Sequence, residues 1–550
     1  MFGSFTDRKP GIGALHEGQD IDVENFVTML ATTNSPDQRN KREEMNMKSR
    51  YWMCFTAIPL FAALAIPGPL SAQDRQQNQP QHHHYKLIDM GTFGGPQSYI
   101  PTYVGFAISA VDNHGVLIGA ADTPQPDPFL PNFCFNPDCF VSHAFRREAG
   151  GELTDLGVLP GGASSASQWM SRSGLIAGVS ENGLTDPLIP GLPEIRAVLW
   201  QNGSITDLGT LEGGYESIAN AVDSKGEVVG LFTNTIPDPN SISGTGYQTR
   251  AFFWQDGGMQ DLGTLGGSDA AAFLINERGQ VVGWSYTSSV PIICFQSIPI
   301  KLATGSFVWD KESGMTDLGG LGGICTLAEA INRRGQIVGT SDFQGDTAFH
   351  AFIWDGSMHD LGGSLGGTIS QGFALNDAGV AVGFASLPGD TIIHATLWSG
   401  IGKMTDLGVV GNDPCSSAHS INAKGQVVGE GSDCFNPPDR SFFWDDGAIF
   451  DLNALIPPGS PLYVQSADAI NDRGEIAAEA VDANGNQHAA LLIPCDENHP
   501  SVEGCDYSSL DAATAAQSSP VRYPPSGTQR PPVTGRLNRH FPTAIRPMRP

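Results

Sequence analysis

One segment constrains this chain more than any other feature. Met259–Gly283 (MQDLGTLGGSDAAAFLINERGQVVG) recurs in varied form eight times. Its Asp-Leu-Gly-like marker falls at Asp89, Asp155, Asp207, Asp261, Asp317, Asp360, Asp406 and Asp451, spaced by 66, 52, 54, 56, 43, 46 and 45 residues. That period belongs to propeller blades or repeat arrays. Each copy continues into a strand ending in a polar residue (Ala328–Asn332), a two-residue spacer and Gly335, then a β-rich run (Gln336–Gly339). After a connection come an apolar aromatic run (Ala351–Trp354) and an Asp-Gly turn leading into the next marker. Asn and Gly tolerate the positive φ that such hairpin turns require. No segment carries a sustained helical period. A single four-stranded meander cannot bury both faces, whereas radial stacking buries them and leaves only short edges. The expectation is an all-β chain, a β-propeller of eight four-stranded blades, with seven blades or a β-solenoid as alternatives. Lys86-Leu87-Ile88 precedes any complete blade, while the last unit ends at His488–Leu492. Closure is expected with Lys86–Ile88 as outer strand of the last blade.

His350-Ala351-Phe352, followed by Trp354 and the Asp-Leu-Gly segment, resembles the HAF repeat, a probable extracellular repeat of bacteria, and Ser142-His143-Ala144-Phe145 is an approximate copy. The resemblance covers about Tyr85 to Cys495 and implies no established activity. Arg250-Ala251-Phe252, Arg196-Ala197-Val198 and His394-Ala395-Thr396 depart from the motif, so the His is not individually essential to it.

Around the repeats the chain divides simply. Residues 1–46 show no fold signal and carry eight acidic residues, reading as an upstream extension. Residues 47–72 read as a signal peptide, with Lys48 and Arg50, the apolar run Phe55–Ile66 and a Leu70-Ser71-Ala72 end, cut between Ala72 and Gln73. The run is short and broken by proline, so no transmembrane span is expected in the mature form. Residues 73–84 form a polar linker in which His82–His84 read as solvated rather than metal-binding, 85–495 the propeller, and 496–550 a disordered Pro/Arg-rich tail. Outside the signal peptide the cysteines are even in number and form no C-x-x-C pair. Cys134–Cys139 and Cys495–Cys505 are natural short-range disulfides; the connectivity of Cys294, Cys325, Cys415 and Cys434 stays open. Disulfides fit an oxidising compartment, secreted, extracellular or periplasmic. A formal charge of −28 excludes sequence-independent nucleic-acid binding, which needs phosphate-neutralising cations.

Candidate sites come from comparing copies. The connections after the G-x-V-V-G strand are long in the first four units (Ala120–Val141, Val179–Glu194, Leu231–Thr249 and Trp284–Gly305) and short later, as at Thr340–Phe349. Loops on a rigid scaffold concentrate function. Within the inner strand one slot varies freely: Ser109, Gln168, Asn220, Phe273, Glu329, Phe373, His419 and Asp468. Gln168, Asn220, Glu329, His419, Asp468 and Trp284 are therefore the candidate ligand-binding residues; ordinary solvated channel positions are the plainer reading of the slot. The repeated Asp reads as a turn-fixing acceptor, and His143, His350, His394 and His488, on separate blades, cannot share one metal. Gly362–Gly366 spells G-x-S-x-G but replaces a turn of the repeat, not the strand-to-helix elbow of a hydrolase. No catalytic or metal site is assigned, no cofactor is implied, and calcium in acidic loops lacks a ligand-spacing motif. The sequence supports a monomeric secreted or cell-surface binding or scaffold module for protein, glycan or a small ligand. A purely structural envelope role cannot be separated from it. The alternative is an extracellular polysaccharide hydrolase or lyase, which requires carboxylates, or a carboxylate and a His, to converge at the channel mouth.

Overall fold

Short runs of β-branched and aromatic residues between Gly, Asn and Asp turns form thirty-two strands among the described residues, and these strands pair antiparallel. The computed structural model describes residues 84–499 and Cys505, except for 102–108, 131–133, 149, 212, 292–293, 295–301, 346–347, 364 and 435–439. The upstream extension, the signal peptide with Ala72 and Gln73, most of the linker and tail, and Ser364 lie outside the described residues. Eight four-stranded sheets result, arranged as an eight-bladed β-propeller.

Blade five is representative. Its strands run Thr326–Ile331, Ile337–Asp342, Phe349–Trp354 and Met358–Asp360, in that order from first to fourth. First strands of successive blades pack against one another around the axis. Burial follows from that position: the first strand of blade three, Ser217–Val222, is buried at every residue, while the fourth strand of blade two, Ser204–Asp207, is almost wholly exposed. Apolar clusters bridge neighbouring sheets; Leu175, Ala177 and Leu199 of blade two pack with Val222, Val228 and Phe252 of blade three.

The ring closes as the sequence suggests. Tyr85–Asp89 pairs with Gln487–Pro494 as outermost strand of the eighth sheet, in register from Tyr85↔Pro494 to Asp89↔Ala490. His488 Nδ1 meets Asp89 at 3.1 Å across this seam, and the Cys495 amide donates to the His84 carbonyl. All eight described cysteines are paired: Cys134–Cys139, Cys294–Cys325, Cys415–Cys434 and Cys495–Cys505. Cys294–Cys325 ties the tip of blade four to the start of blade five.

The Asn that ends the first strand does more than initiate a turn. Asn376 Oδ1 accepts the Ala378 and Val380 amides, while its Nδ2 donates to the Asn422 carbonyl of the next blade at 3.1 Å. The same reach runs from Asn276 to Asn332, Asn332 to Asn376, Asn422 to Asn471 and Asn471 to the Asp112 carbonyl. A ladder of five side chains therefore fastens blades four to eight and returns to blade one. The glycine three residues after each Asn holds a positive φ (Gly379 at 84°), a conformation costly for a side chain bearing Cβ. Blades one to three carry Asp112, Ser171 and Asp223 at this position. Those side chains cap their own turns but have no amide to pass on.

Asn376→Asp keeps the turn cap and removes only the cross-blade donor. It is expected to lower unfolding stability by about 1–2 kcal/mol, the net worth of one buried hydrogen bond and its stranded acceptor, measured by urea denaturation. An unchanged midpoint would mean that the ladder does not hold the ring.

Candidate functional site

The variable slot of the inner strand has a structural identity that side-chain patterning alone does not reveal: it is a β-bulge. The ladder to the second strand skips Gln168, Asn220, Phe273, Glu329, Phe373, His419 and Asp468. A bulged residue is freed from ladder pairing and the strand bends. The bend brings an inner-strand carbonyl over the facing glycine of G-x-V-V-G. A Cβ built on Gly339 would lie 2.0 Å from the Leu327 carbonyl oxygen, so glycine is required there. The second Gly, present in seven of the eight copies, is the trace the bulge leaves in the sequence; blade eight carries Ala478 there.

Neighbouring slots touch around the axis. Asn220 is buried and donates to the Ala272 carbonyl of blade four. Gln371 of blade six donates to Glu329 of blade five at 3.4 Å. The Phe373 ring stands edge-on to His419, with centroids 6.4 Å apart. His419 Nδ1 lies 3.4 Å from Asp468 and its Nε2 3.7 Å from Glu430, and Ser466 Oγ donates to both carboxylates. Of the three ionisable slot residues, His419 and Asp468 thus come together, while Glu329 is separately engaged with Gln371. Gln168 is half-buried, and Ser109, outside any strand, donates to the Met170 carbonyl. Trp284 is not a surface aromatic: it is 3% exposed, packs edge-on against Phe273, and donates its indole N–H to the Ala328 carbonyl. Glu430 and Ser466 are site residues the slot comparison missed, because they lie at other positions of the repeat. Among the described residues no three His, Cys, Asp or Glu side chains group as metal ligands.

The long connections are largely strand, not loop. Second strands run ten or eleven residues in blades one to four (Val116–Pro126, Ile176–Thr185, Val228–Pro237, Val281–Pro291) against six in blades five to eight. After a shift the ladder resumes, at Pro126↔Phe140, Thr185↔Pro193, Pro237↔Tyr247 and Pro291↔Leu302. The first three hairpins end on a buried Asp followed by Pro: Asp127, Asp186 and Asp238. Each accepts the amide two residues on, closing the tip, as Asp186 does from Leu188 at 2.7 Å. Each lies eight residues past the G-x-V-V-G glycine (119 to 127, 178 to 186, 230 to 238), an offset readable from sequence. The hairpins lean on one another: Tyr247 Oη donates to the Leu188 carbonyl and Tyr286 Oη to the Asn240 carbonyl. Leu130, Leu184, Ile236 and Ile324, each at least half exposed, stand on this face. Only one other large apolar side chain, Ile401, is so exposed among the described residues.

The His of the His-Ala-containing runs has a defined partner. It stands on the third strand and pairs with the Asp of the Asp-Leu-Gly segment on the fourth: His143–Asp155, His350–Asp360, His394–Asp406 and His488–Asp89, at 2.8–3.1 Å. Arg250–Asp261 and Arg440–Asp451 substitute for it. The Asp also accepts the amide two residues on, as Asp155 does from Gly157. These are separate structural pairs on separate blades.

Burial dominates the acid–base behaviour. Glu329, fully enclosed, has its carboxyl held well above the usual range; burial likewise pushes Asp122 up to about 8 and Glu181 and Asp269 to about 7. Such a group binds its proton more tightly folded than unfolded. It contributes most below its ordinary pKa, and the contribution is lost as pH rises through the folded value. His143 and His488, raised chiefly by the hydrogen bonds they donate to their Asp partners, act in the same sense. Asp89 and Asp155 are lowered by those partners and lose their contribution only at more acid pH. Thermal stability is therefore expected to be greatest near pH 5 and to fall toward pH 8, and Glu329→Gln to flatten that decline, read by calorimetry across the range. A wild-type melting temperature rising between pH 5 and 8 would contradict this.

No family model and no curated protein matches the chain. Solved structures resemble it at low identity. A Mycobacterium tuberculosis puromycin-hydrolyzing peptidase aligns at 14% identity and a TM-score of 0.38, covering 71% of this chain and 62% of that one. The Pyrococcus horikoshii acylaminoacyl peptidase aligns at 10% and 0.33, covering 59% and 52%. TolB from Acinetobacter baumannii aligns at 11% and 0.27, covering 69% and 80%. The chain thus spans less than two thirds of either peptidase, and likeness at this level carries no statement about activity.

Proposed function

We propose that this chain is a secreted or cell-surface repeat protein of the HAF kind that binds a protein, glycan or small ligand through its hairpin-bearing face. The observation that carries this reading is the asymmetry of that face. Four tall hairpins stand over half the ring, three of them closed by a buried Asp and those of blades two to four braced on one another, and exposed Leu130, Leu184 and Ile236 lie on them. Apolar side chains raised on neighbouring hairpins of one face support an interaction surface there. Four disulfides favour an oxidising compartment, and no helix among the described residues is long and apolar enough to cross a membrane.

A second reading, a polysaccharide hydrolase or lyase, draws on one observation: His419, Asp468 and Glu430 converge at 3.4 and 3.7 Å. The three are bound to one another, and Ser466 fills part of the remaining space between the carboxylates. This arrangement supports a locking role better than a general acid and base waiting for substrate.

The triple variant Leu130→Ser, Leu184→Ser, Ile236→Ser is expected to keep the wild-type melting temperature, since these side chains are half or more exposed. It should lose at least about tenfold of the affinity for surface components, measured against an array of extracellular polysaccharides and envelope proteins. Undiminished binding would move the site off this face. Turnover of any arrayed polysaccharide that Asp468→Asn abolishes would favour the second reading.

A further inference from the structure

The eight copies pair a third-strand cation with a fourth-strand Asp in six blades, and the two exceptions differ. The Asp lies across from the residue two positions after the cation: Phe145↔Asp155, Phe252↔Asp261, Phe352↔Asp360 and Phe442↔Asp451. In blade two, Arg196 holds the cation position but turns to Glu194 and Thr210, so its own side chain fills the space. In blade four the register is Phe307↔Asp317, which places Gly305 where the other copies have His or Arg. The missing side chain leaves a recess of about 500 Å³ lined by Thr287, Ser288, Gly305, Asp317, Ile324 and Thr326, among others. That size suits a side-chain-scale ligand.

We propose that this recess is a binding site for a guanidinium group, an arginine side chain of a partner or a small guanidinium compound, which replaces in trans the cation that every other copy carries in its own chain. Three observations converge on that chemistry. Asp317 is exposed, keeps its turn bond to the Gly319 amide at 2.8 Å, and forms no ion pair with any described residue. No described residue donates to its second oxygen, and a Cβ on Gly305 would stand 3.8 Å from Asp317 Oδ1, with Leu265 Cδ1 and Thr287 Cγ2 nearer at 3.0 Å, so the cation position of the other copies borders this carboxylate. Blade three shows the occupied form of the same geometry. Arg250 Nε donates to one oxygen of Asp261 and Nη2 to the other, at 3.0 and 3.1 Å, while Asp261 still accepts the Gly263 amide. A planar fork satisfies both carboxylate oxygens at once, which an ammonium group does not.

The recess is also held in shape. Ile324, 51% exposed at its rim, precedes Cys325, whose disulfide to Cys294 fixes that connection to the blade-four hairpin. The Ile324 and Cys325 amides are further anchored on the Asp342 carboxylate. Preorganised walls reduce the ordering cost of binding. The site lies on the hairpin-bearing face but does not depend on the apolar tips, so it stands or falls separately from the broader binding role.

The test is titration of the disulfide-intact protein with N-acetyl-arginine methylamide, with the lysine analogue, and with an Ala-Ala-Arg-Ala-Ala peptide, followed by calorimetry. The arginine probes are expected to bind, and the lysine analogue to bind at least about fivefold more weakly. Asp317→Asn, which preserves the turn acceptor, should weaken binding by at least about tenfold. Gly305→Arg should abolish binding by supplying the cation in cis, and Asp261→Asn, on the already paired blade three, should leave it unchanged. Tighter binding of the peptide than of the blocked amino acid assigns the site to a protein partner; equal binding assigns it to a small guanidinium compound. No binding of either arginine probe at millimolar concentration, or binding that survives both Asp317→Asn and Gly305→Arg, overturns the proposal, as does equal affinity for lysine. Should Gly305→Arg fail to fold, Asp317→Asn decides the matter alone.

Discussion

A propeller blade has hydrogen bonds within itself and only side-chain packing between itself and its neighbours, so the ring depends on whatever crosses that gap. Here the crossing polar link is the turn Asn. One oxygen caps the turn that the same residue begins, and one amide donates to the neighbouring turn's carbonyl, as in Asn332 to Asn376 to Asn422. A single side chain therefore fixes local conformation and relative blade position together. The buried contact between blades has a second version, in which a Ser of one blade's first strand accepts an amide from the third strand of the blade before, as Ser370 does from Ala351 and Ser416 from Ala395.

The rest of each blade is organised around a bent inner strand. The bulge frees one side chain per blade from ladder pairing and sets it against the next blade. What sits there is free to vary in chemistry because the backbone carries the bend. An amide reaching a carbonyl (Asn220), an acid whose pKa burial raises (Glu329) and an imidazole beside a carboxylate (His419) all satisfy it. The same tolerance operates at the rim, where His and Arg exchange as partners of the Asp-Leu-Gly carboxylate without altering the register.

The blade count, the antiparallel pairing and the seam at Tyr85–Asp89 were legible in the sequence, because period and turn chemistry report backbone geometry directly. The short-range disulfides were legible for the same reason, whereas Cys294–Cys325 spans two blades and required the fold. The candidate site was only partly legible. Slot diversity looks alike whether a residue faces solvent or occupies a bulge, and the distinguishing mark, the glycine opposite, also reads as an ordinary strand glycine. Trp284 fell in a connection by repeat alignment, but the strand continues through it and buries it. The His–Asp pairs were hidden because the partners lie ten to twelve residues apart within a blade, as 350 and 360 or 143 and 155, and across the chain termini for His488 and Asp89.

The Asn ladder runs only from blade four round to blade one, and the three blades without this Asn, with Asp112, Ser171 and Asp223 in its place, also bear tall hairpins. Those hairpins supply their own lateral contacts on the opposite face, through Tyr247 and Tyr286. These contacts add to those of the turn face, where Ser173 Oγ of blade two donates to the Ser224 carbonyl of blade three and Ser224 Oγ to Glu277 of blade four. In an array of copied units this frees a repeat to diverge: once neighbours are joined through their hairpins, the turn residue is released from inheritance. The chain carries both designs at once, five joints in the older-looking uniform style and the others individually tailored, and the tailored arc is where a repeat protein acquires properties that its copies do not share.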